Sequence, residues 1–245
     1  MLLLAAVEPT RGDEPLPPDV LLVVPLHLHI LRADNLPEID CTLTEADLNR
    51  ILSKVNQIWQ PARIQFRAAS RHVEQAAGLE AFRSLRQLLG ESDPPLPRYR
   101  PLIPRDSFTD DGLHVYYVHR LPVNGVYLGG RQAMVQDSAS LRPVDGGIDE
   151  PLPRVTAHEI GHALGLAHRP DRTHLMASGT TGTRLIDSEI ATARARAATI
   201  PGTTRADKSP PPINAADQNG EADHAGGIDS TTHLPHNPGS PSDSN

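Results

Sequence analysis

Several things are scarce in this sequence, and each shortage excludes something. A single cysteine, Cys41, rules out an internal disulfide framework and leaves the redox compartment open. Aromatic residues make up 3% and hydrophobic residues 38% of 245 positions, while 24 prolines and 18 glycines point to long irregular stretches. No run approaches the ~18 consecutive apolar residues of a helical membrane span. No stripe of Lys and Arg is present either, and a formal net charge of −7 leaves nothing to neutralise a nucleic-acid backbone. A protein or peptide partner and a monomeric chain are the expectation.

The apolar deficit is uneven and divides the chain. Residues 20–200 hold nearly all the Leu, Ile, Val, Phe, Tyr and Trp, enough for one core. Residues 201–245 have no aromatic and almost no large aliphatic side chain, so they cannot offset their own ordering entropy. They are expected to be a disordered tail in which His224, His233 and His236 are solvated. The opening, MLLLAAVEPTRGDEP, has a short apolar run without preceding basic residues. Residues 1–19 are therefore expected to be a Pro-rich lead-in or the remnant of an export signal, the latter implying a secreted or cell-envelope protein.

Periodicity supplies the elements of the 20–200 domain. VVPLHLHILRAD alternates as a strand from about Leu26 to Ala33, with Pro25 at its beginning. Leu48, Ile51, Leu52, Val55, Ile58 and Trp59 recur at helical spacing, capped by Thr42 with Glu45 or by Thr44 with Asp47. ARIQFRAA follows as a second, parallel strand. A shorter helix is expected over 79–90, loop over 94–104, and a buried strand over 113–121. Residues 123–137 read as a glycine-broken loop feeding a short strand near Arg131–Asp137. A closing helix over 187–198, capped by Asp187 or Ser188, completes an α+β fold: a mixed sheet covered by helices.

Histidine, otherwise sparse, is crowded into TAHEIGHALGLAHRPDRTHLMASG, where His158, His162, His168 and His174 make a third of the chain's 12. His158 and His162 are four apart, so on a helix begun near Pro153 their imidazoles share one face and can reach one metal ion. Glu159 lies about 100° round the helix, beside the metal's open position, where a general base acting on metal-activated water must sit. Gly165 can take the left-handed conformation that reverses the chain and returns His168 toward the other two. Three neutral imidazoles leave a fourth tetrahedral position free, as a catalytic zinc site requires. Gly161, costing ~1 kcal/mol inside a helix, calls for a close packing contact. The plain alternative is an amphipathic helix with incidental histidines, but it leaves Gly165, His168 and the following Leu175-Met176 without a reason.

These residues resemble a known clan. His158-Glu159-x-x-His162-x-x-Gly165-x-x-His168 is similar, at every fixed position, to the motif of metzincin zinc metalloproteases, and Leu175-Met176 falls where a matrixin-like Met-turn would stand. The specific likeness covers residues 158–176; a looser one covers about 20–200. It implies a metzincin-like single catalytic domain and a zinc-dependent endopeptidase. In it His158, His162 and His168 bind the ion, Glu159 is the catalytic base and acid, and Met176 forms a floor. It also implies that segment 131–137 is the edge strand to which substrate adds, and that residues 177–182 wall a side-chain pocket. Ser178 stands where astacin- and serralysin-like members carry tyrosine, so the closer likeness is to matrixin- or reprolysin-like enzymes. Two alternatives remain: a zinc-holding interaction domain without catalysis, and a zinc hydrolase of a non-protein amide. Other groups have weaker claims. His174 reads as a loop histidine, and Cys41 as a buried or idle thiol. His27 and His29 share a strand face and would meet a helix or solvent, unless they grip a metal. Asp137, Asp145, Asp149 and Glu150 are either solvated acids or a Ca2+ site.

Overall fold

A computed structural model describes residues 17–90 and 92–206. The lead-in up to residue 16 and the tail beyond 206 lie outside the described residues. The elements run β1 (Leu21–Arg32), α1 (Glu45–Trp59), β2 (Ile64–Gln75), α2 (Leu79–Leu89), β3 (Leu113–Val118), β4 (Gly125–Gly129), β5 (Gln132–Gln136), α3 (Pro151–Ala163), α4 (Asp187–Ala197) and β6 (Thr204–Ala206). The six strands form one mixed sheet in the order β2-β1-β3-β5-β4, with β6 pairing β1. β1, β2, β3 and β5 pair in parallel, whereas β4 pairs β5 and β6 pairs β1 antiparallel. The expected α+β architecture, with a histidine-bearing helix and a closing helix, is present.

Alternation along β1 explains the two layers. Leu22, Val24, Leu26, Leu28 and Ile30 join Trp59, Phe66, Val155, Ile160 and Met176 in the larger core, beneath α1, α3 and α4. Leu31, Tyr116, Val118 and Met134 face the other way, where Phe82 of α2 and Tyr99 and Leu102 beyond it cover them. α1 begins at the second of the two expected caps: Thr44 and Asp47 bond reciprocally to each other's backbone N–H. α4 departs from expectation. Its cap position is Ile186, whose N–H donates to the Glu189 carboxylate at 3.0 Å, so neither Asp187 nor Ser188 serves. No helix among the described residues is long and apolar enough to cross a membrane.

Four further corrections concern strands. β1 begins at Leu21, so Pro25 lies inside it. Leu22 donates its N–H toward β2, to Arg63 O at 3.0 Å, and alternation turns position 25 toward the opposite edge. There β6 pairs only as far as Val23 and β3 only from Leu26, so the donor that proline lacks is not needed. Second, the expected glycine-broken loop contains β4. Gly129 and Gly130, at φ +92° and +63°, make its turn into β5. Third, the sheet's edge is therefore β4, and the segment expected there, 131–137, is the penultimate strand. Fourth, β6 carries regular structure past residue 200, where the domain was expected to end.

Two further groups behave otherwise than read. His27 and His29 face neither solvent nor a helix. They lie buried with His114 of β3: His29 Nε2 is 3.1 Å from His114 Nδ1, and His29 Nδ1 is 2.7 Å from the Glu74 carboxylate. The acids proposed for calcium do not converge. Asp149 and Glu150 pair with Lys54, Glu150 also with Arg50, and Asp137 pairs with His119.

Candidate active site

α3 opens with Pro151, whose absent N–H is harmless in a first turn. It ends in paired closing bonds: Leu166 N–H to Gly161 O and Gly165 N–H to His162 O, both 3.0 Å, with Gly165 at φ +85°. This is the αL reversal that brings the chain back across the helix end. It returns His168, so that its Nε2 lies 3.2 Å from His158 Nε2 and 3.1 Å from His162 Nε2. Among the described residues this triad is the only set of three His, Cys, Asp or Glu side chains that converge closely enough to hold a metal. His174 stays apart, near Asp171 and Glu189. Cys41 is buried, and burial raises its thiol far above the ordinary range.

Backbone carbonyls fix the tautomers. His158 Nδ1–H donates to Leu175 O at 2.7 Å, and His162 Nδ1–H donates to Leu166 O at 2.9 Å. Both Nε2 atoms are then lone-pair acceptors. His168 can supply one proton to one of them, so the cluster holds more lone pairs than hydrogens. Such a donor set fits a zinc ion. Burial also drives His158 down to about 3 and lowers His162, keeping both imidazoles neutral, the form a metal needs.

Met176 is fully buried against α3, and it answers the puzzle of Gly161. A Cβ there would lie 2.6 Å from Met176 Sδ. Glu159 stands on the neighbouring helix face, against the edge strand. A Cβ at Gly125 of β4 would lie 2.9 Å from its carboxylate and 2.7 Å from Val155. Glycine at 125 thus lets the strand approach, and the nearby Tyr127 backbone favours the charged carboxylate. Burial pushes Glu159 up to about 8, against the pull of the Arg154 charge and of the Tyr127 backbone.

A cavity of about 330 Å³ adjoins Glu159, His158 and His168, walled by Gly125 of β4 and by Ser178 and Gly179. Arg154, four residues before His158 on the same helical face, also lines it. Sequence reading passed over Arg154, Gly125 and Tyr127. Arg154 had a signal: a lone cation in register with His158 and His162, on a helix turn otherwise fit for a core.

Residues 106–189, from the approach to β3 into the start of α4, match the matrixin family. That segment is matrixin-like. It contains the triad, Glu159 and Met176, and the resemblance to metzincin-clan zinc metalloproteases holds. The match supports a zinc metallopeptidase, a hydrolase whose family acts on peptides. No curated protein sequence matches the chain. Among solved structures it is similar to archaemetzincin from Methanopyrus kandleri, at 17% identity over 71% of this chain and 94% of that one, TM-score 0.42. It is also similar to metalloproteinase-II from Bacteroides fragilis, at 14% identity over 77% of this chain, TM-score 0.40. A protein in a chaperone–substrate complex is similar at 12% identity over 72% of this chain, TM-score 0.40. The chain spans 55% of the second of these proteins and 34% of the third.

Proposed function

We propose that the chain is a zinc-dependent endopeptidase in which His158, His162 and His168 hold the ion and Glu159 moves the proton. The observation that carries the reading is the convergence of three imidazole Nε2 atoms, two of them fixed as acceptors, beside a buried carboxylate. Zinc held there supplies Lewis acidity to a peptide carbonyl and to the attacking water.

Everything else falls to the chain's own groups. Glu159 lines the same cavity as His158 and His168, where a general base for the attacking water must stand. It takes a proton from the water as the water attacks, and returns it to the nitrogen as the C–N bond breaks. The tight contact at Gly125 holds its carboxylate in place. Leu175 O and Leu166 O orient two of the histidines and raise their basicity. β4 pairs with β5 on one side only, so its other edge offers free backbone donors and acceptors to an extended peptide. A strand added there can continue past the site in both directions, which suits cleavage within a chain.

The test is digestion of a diverse peptide mixture by zinc-loaded protein, read by mass spectrometry beside Glu159→Gln. Internal cuts that a chelator abolishes, and that fall at least ~10²-fold in the variant while zinc stays at one per chain, are expected. Loss of terminal residues alone would replace endopeptidase with exopeptidase. Zinc bound one to one without any cut would leave a binding domain.

A further inference from the structure

The cavity beside Glu159 contains a cation that makes no ion pair. Arg154 is 2% exposed, and among the described residues no carboxylate lies within ion-pair distance of it. A guanidinium has five N–H donors. Nε donates to Gly182 O at 3.1 Å, and Nη2 donates to Leu175 O at 2.6 Å, to Ala177 O and, at 3.3 Å, to His174 O. Nη1 has one neighbour, His158 Nδ1 at 3.3 Å. That nitrogen spends its own hydrogen on Leu175 O, so it has no lone pair to offer. The two Nη1 hydrogens are therefore without an acceptor, on a residue that lines the cavity.

A second cation without an ion pair stands beside one wall of the cavity. Arg142 is exposed and makes no ion pair among the described residues, and its Nη2 lies 3.9 Å from where a Cβ would stand on Gly179, a wall of the same cavity. Backbone bonds hold this rim in place: Arg142 N–H to Gly179 O and Thr181 N–H to Arg142 O, both 3.0 Å. The acid lining the cavity is Glu159, which the proposed chemistry occupies. A buried charge without a partner is costly, and a carboxylate brought in by a ligand removes that cost while satisfying both Nη1 donors.

We infer that this cavity selects an acidic side chain, so that the peptidase cleaves beside Asp or Glu, seated with its carboxylate on Arg154. This rests on the proposed peptidase function. An aliphatic side chain would fill the same space and leave the guanidinium unpaired. The uncharged amides Gln and Asn match the acids in shape but bring no compensating charge. Discrimination between acid and amide is thus the distinguishing property, since sites built around a buried polar group reject analogues that fail to pair with it.

The experiment measures two things on the zinc-loaded chain. The first is the cleavage profile of a peptide library containing Asp, Glu, Asn, Gln and Leu at every position. The second is calorimetric affinity of the best-cleaved sequence, its Glu→Gln and Glu→Leu counterparts, for the Glu159→Gln protein. Expected is at least tenfold enrichment of acid over amide at one of the two positions flanking the cut, with a matching ratio in affinity. Arg154→Met should bring both ratios to within about twofold of unity, and Arg154→Lys should keep acid ahead of amide. If Arg154→Met does not fold, the parent and Arg154→Lys ratios decide alone. A parent that prefers Leu or treats acid and amide alike overturns the inference and leaves the peptidase standing. So does an Arg154→Met protein that is slower on every substrate with its ratio unchanged, because that marks Arg154 as scaffolding for residues 174–182. A protein that neither cuts nor binds any of the peptides overturns both.

Discussion

At the scale of single residues, the site is built by close approaches that only glycine permits. Gly161 is the sharpest case because two effects oppose each other. In a helix interior, Gly→Ala ordinarily stabilises by about 0.5–1 kcal/mol through reduced backbone entropy. Here the added methyl would lie 2.6 Å from Met176 Sδ and 3.3 Å from its Cε, and Met176 is fully buried. Overpacking of a filled core costs about 1–3 kcal/mol and outweighs the entropic gain. Gly161→Ala is therefore expected to lower the urea midpoint and, under the proposed function, to weaken zinc binding, because Met176 would have to shift and Leu175 beside it holds His158 Nδ1. An unchanged or raised midpoint, with zinc affinity intact, would show that Met176 is not the constraint. The histidines, the glutamate and the reversing glycine were legible in the sequence because ligand spacing on a helix is a local property. Arg154, Gly125 and Tyr127 were not, since their meaning depends on which strand packs beside α3.

Among the elements, those with strong periodicity were anticipated and those without it were missed. α1 announces itself through Leu48, Ile51, Val55 and Ile58 and a polar cap, all of them buried or bonded as the pattern requires. β4 carries no such pattern: GVYLG is half-buried throughout and bracketed by glycines, so its strand conformation comes from pairing with β5. β6 is three residues long and is defined only by Leu21, Leu22 and Val23 of β1 opposite it. Its contribution can be measured. The segment leading to it is tied down where Gly112 N–H donates to Pro201 O at 2.9 Å and where Gly202, at φ +82°, passes Pro25. A chain ending at Ile200 loses this bond and the β6 ladder, and exposes the end of β1; one ending at Ala206 keeps both. The shorter chain should be less stable by about 1–3 kcal/mol, from several net hydrogen bonds of roughly 0.5–1.5 kcal/mol each. Equal urea midpoints for the two would return the domain boundary to residue 200.

For the whole molecule, two histidine clusters, one at the end of α3 and the loop after it and one on β1 and β3, tie stability to pH, and they do so in separable ways. Under the proposed function the triad does it through the metal: zinc that binds only the folded chain would stabilise it by mass action, and acid would compete for the same imidazoles. Among the described residues the second cluster does not converge on one point as the triad does. Burial drives His29 down to about 3 and His114 to about 4, with mutual repulsion among His27, His29, His72 and His114 adding to the effect, and burial lowers His27 as well. Their folded values lie below the unfolded value of 6.5, so between about pH 6.5 and 4 the unfolded chain takes up protons that the folded chain refuses. Stability is full above that window and falls as the pH drops through it. Asp111, beside His27, offers partial compensation, as does Glu74, beside His29. Burial raises Glu74, so the folded chain gains a proton there first, an opposing effect confined to the acid end. Arg131 adds a further positive charge near His27 and His114. With chelator present throughout, the unfolding free energy should drop between pH 7.5 and 5 by about 2 kcal/mol for each of His29 and His114. In the double variant His29→Gln/His114→Asn that part of the drop should disappear, while the part due to the metal-free triad stays. Two curves of equal steepness would mean that the buried cluster accepts protons in the folded state, with the Glu74 and Asp111 carboxylates carrying the balancing charge.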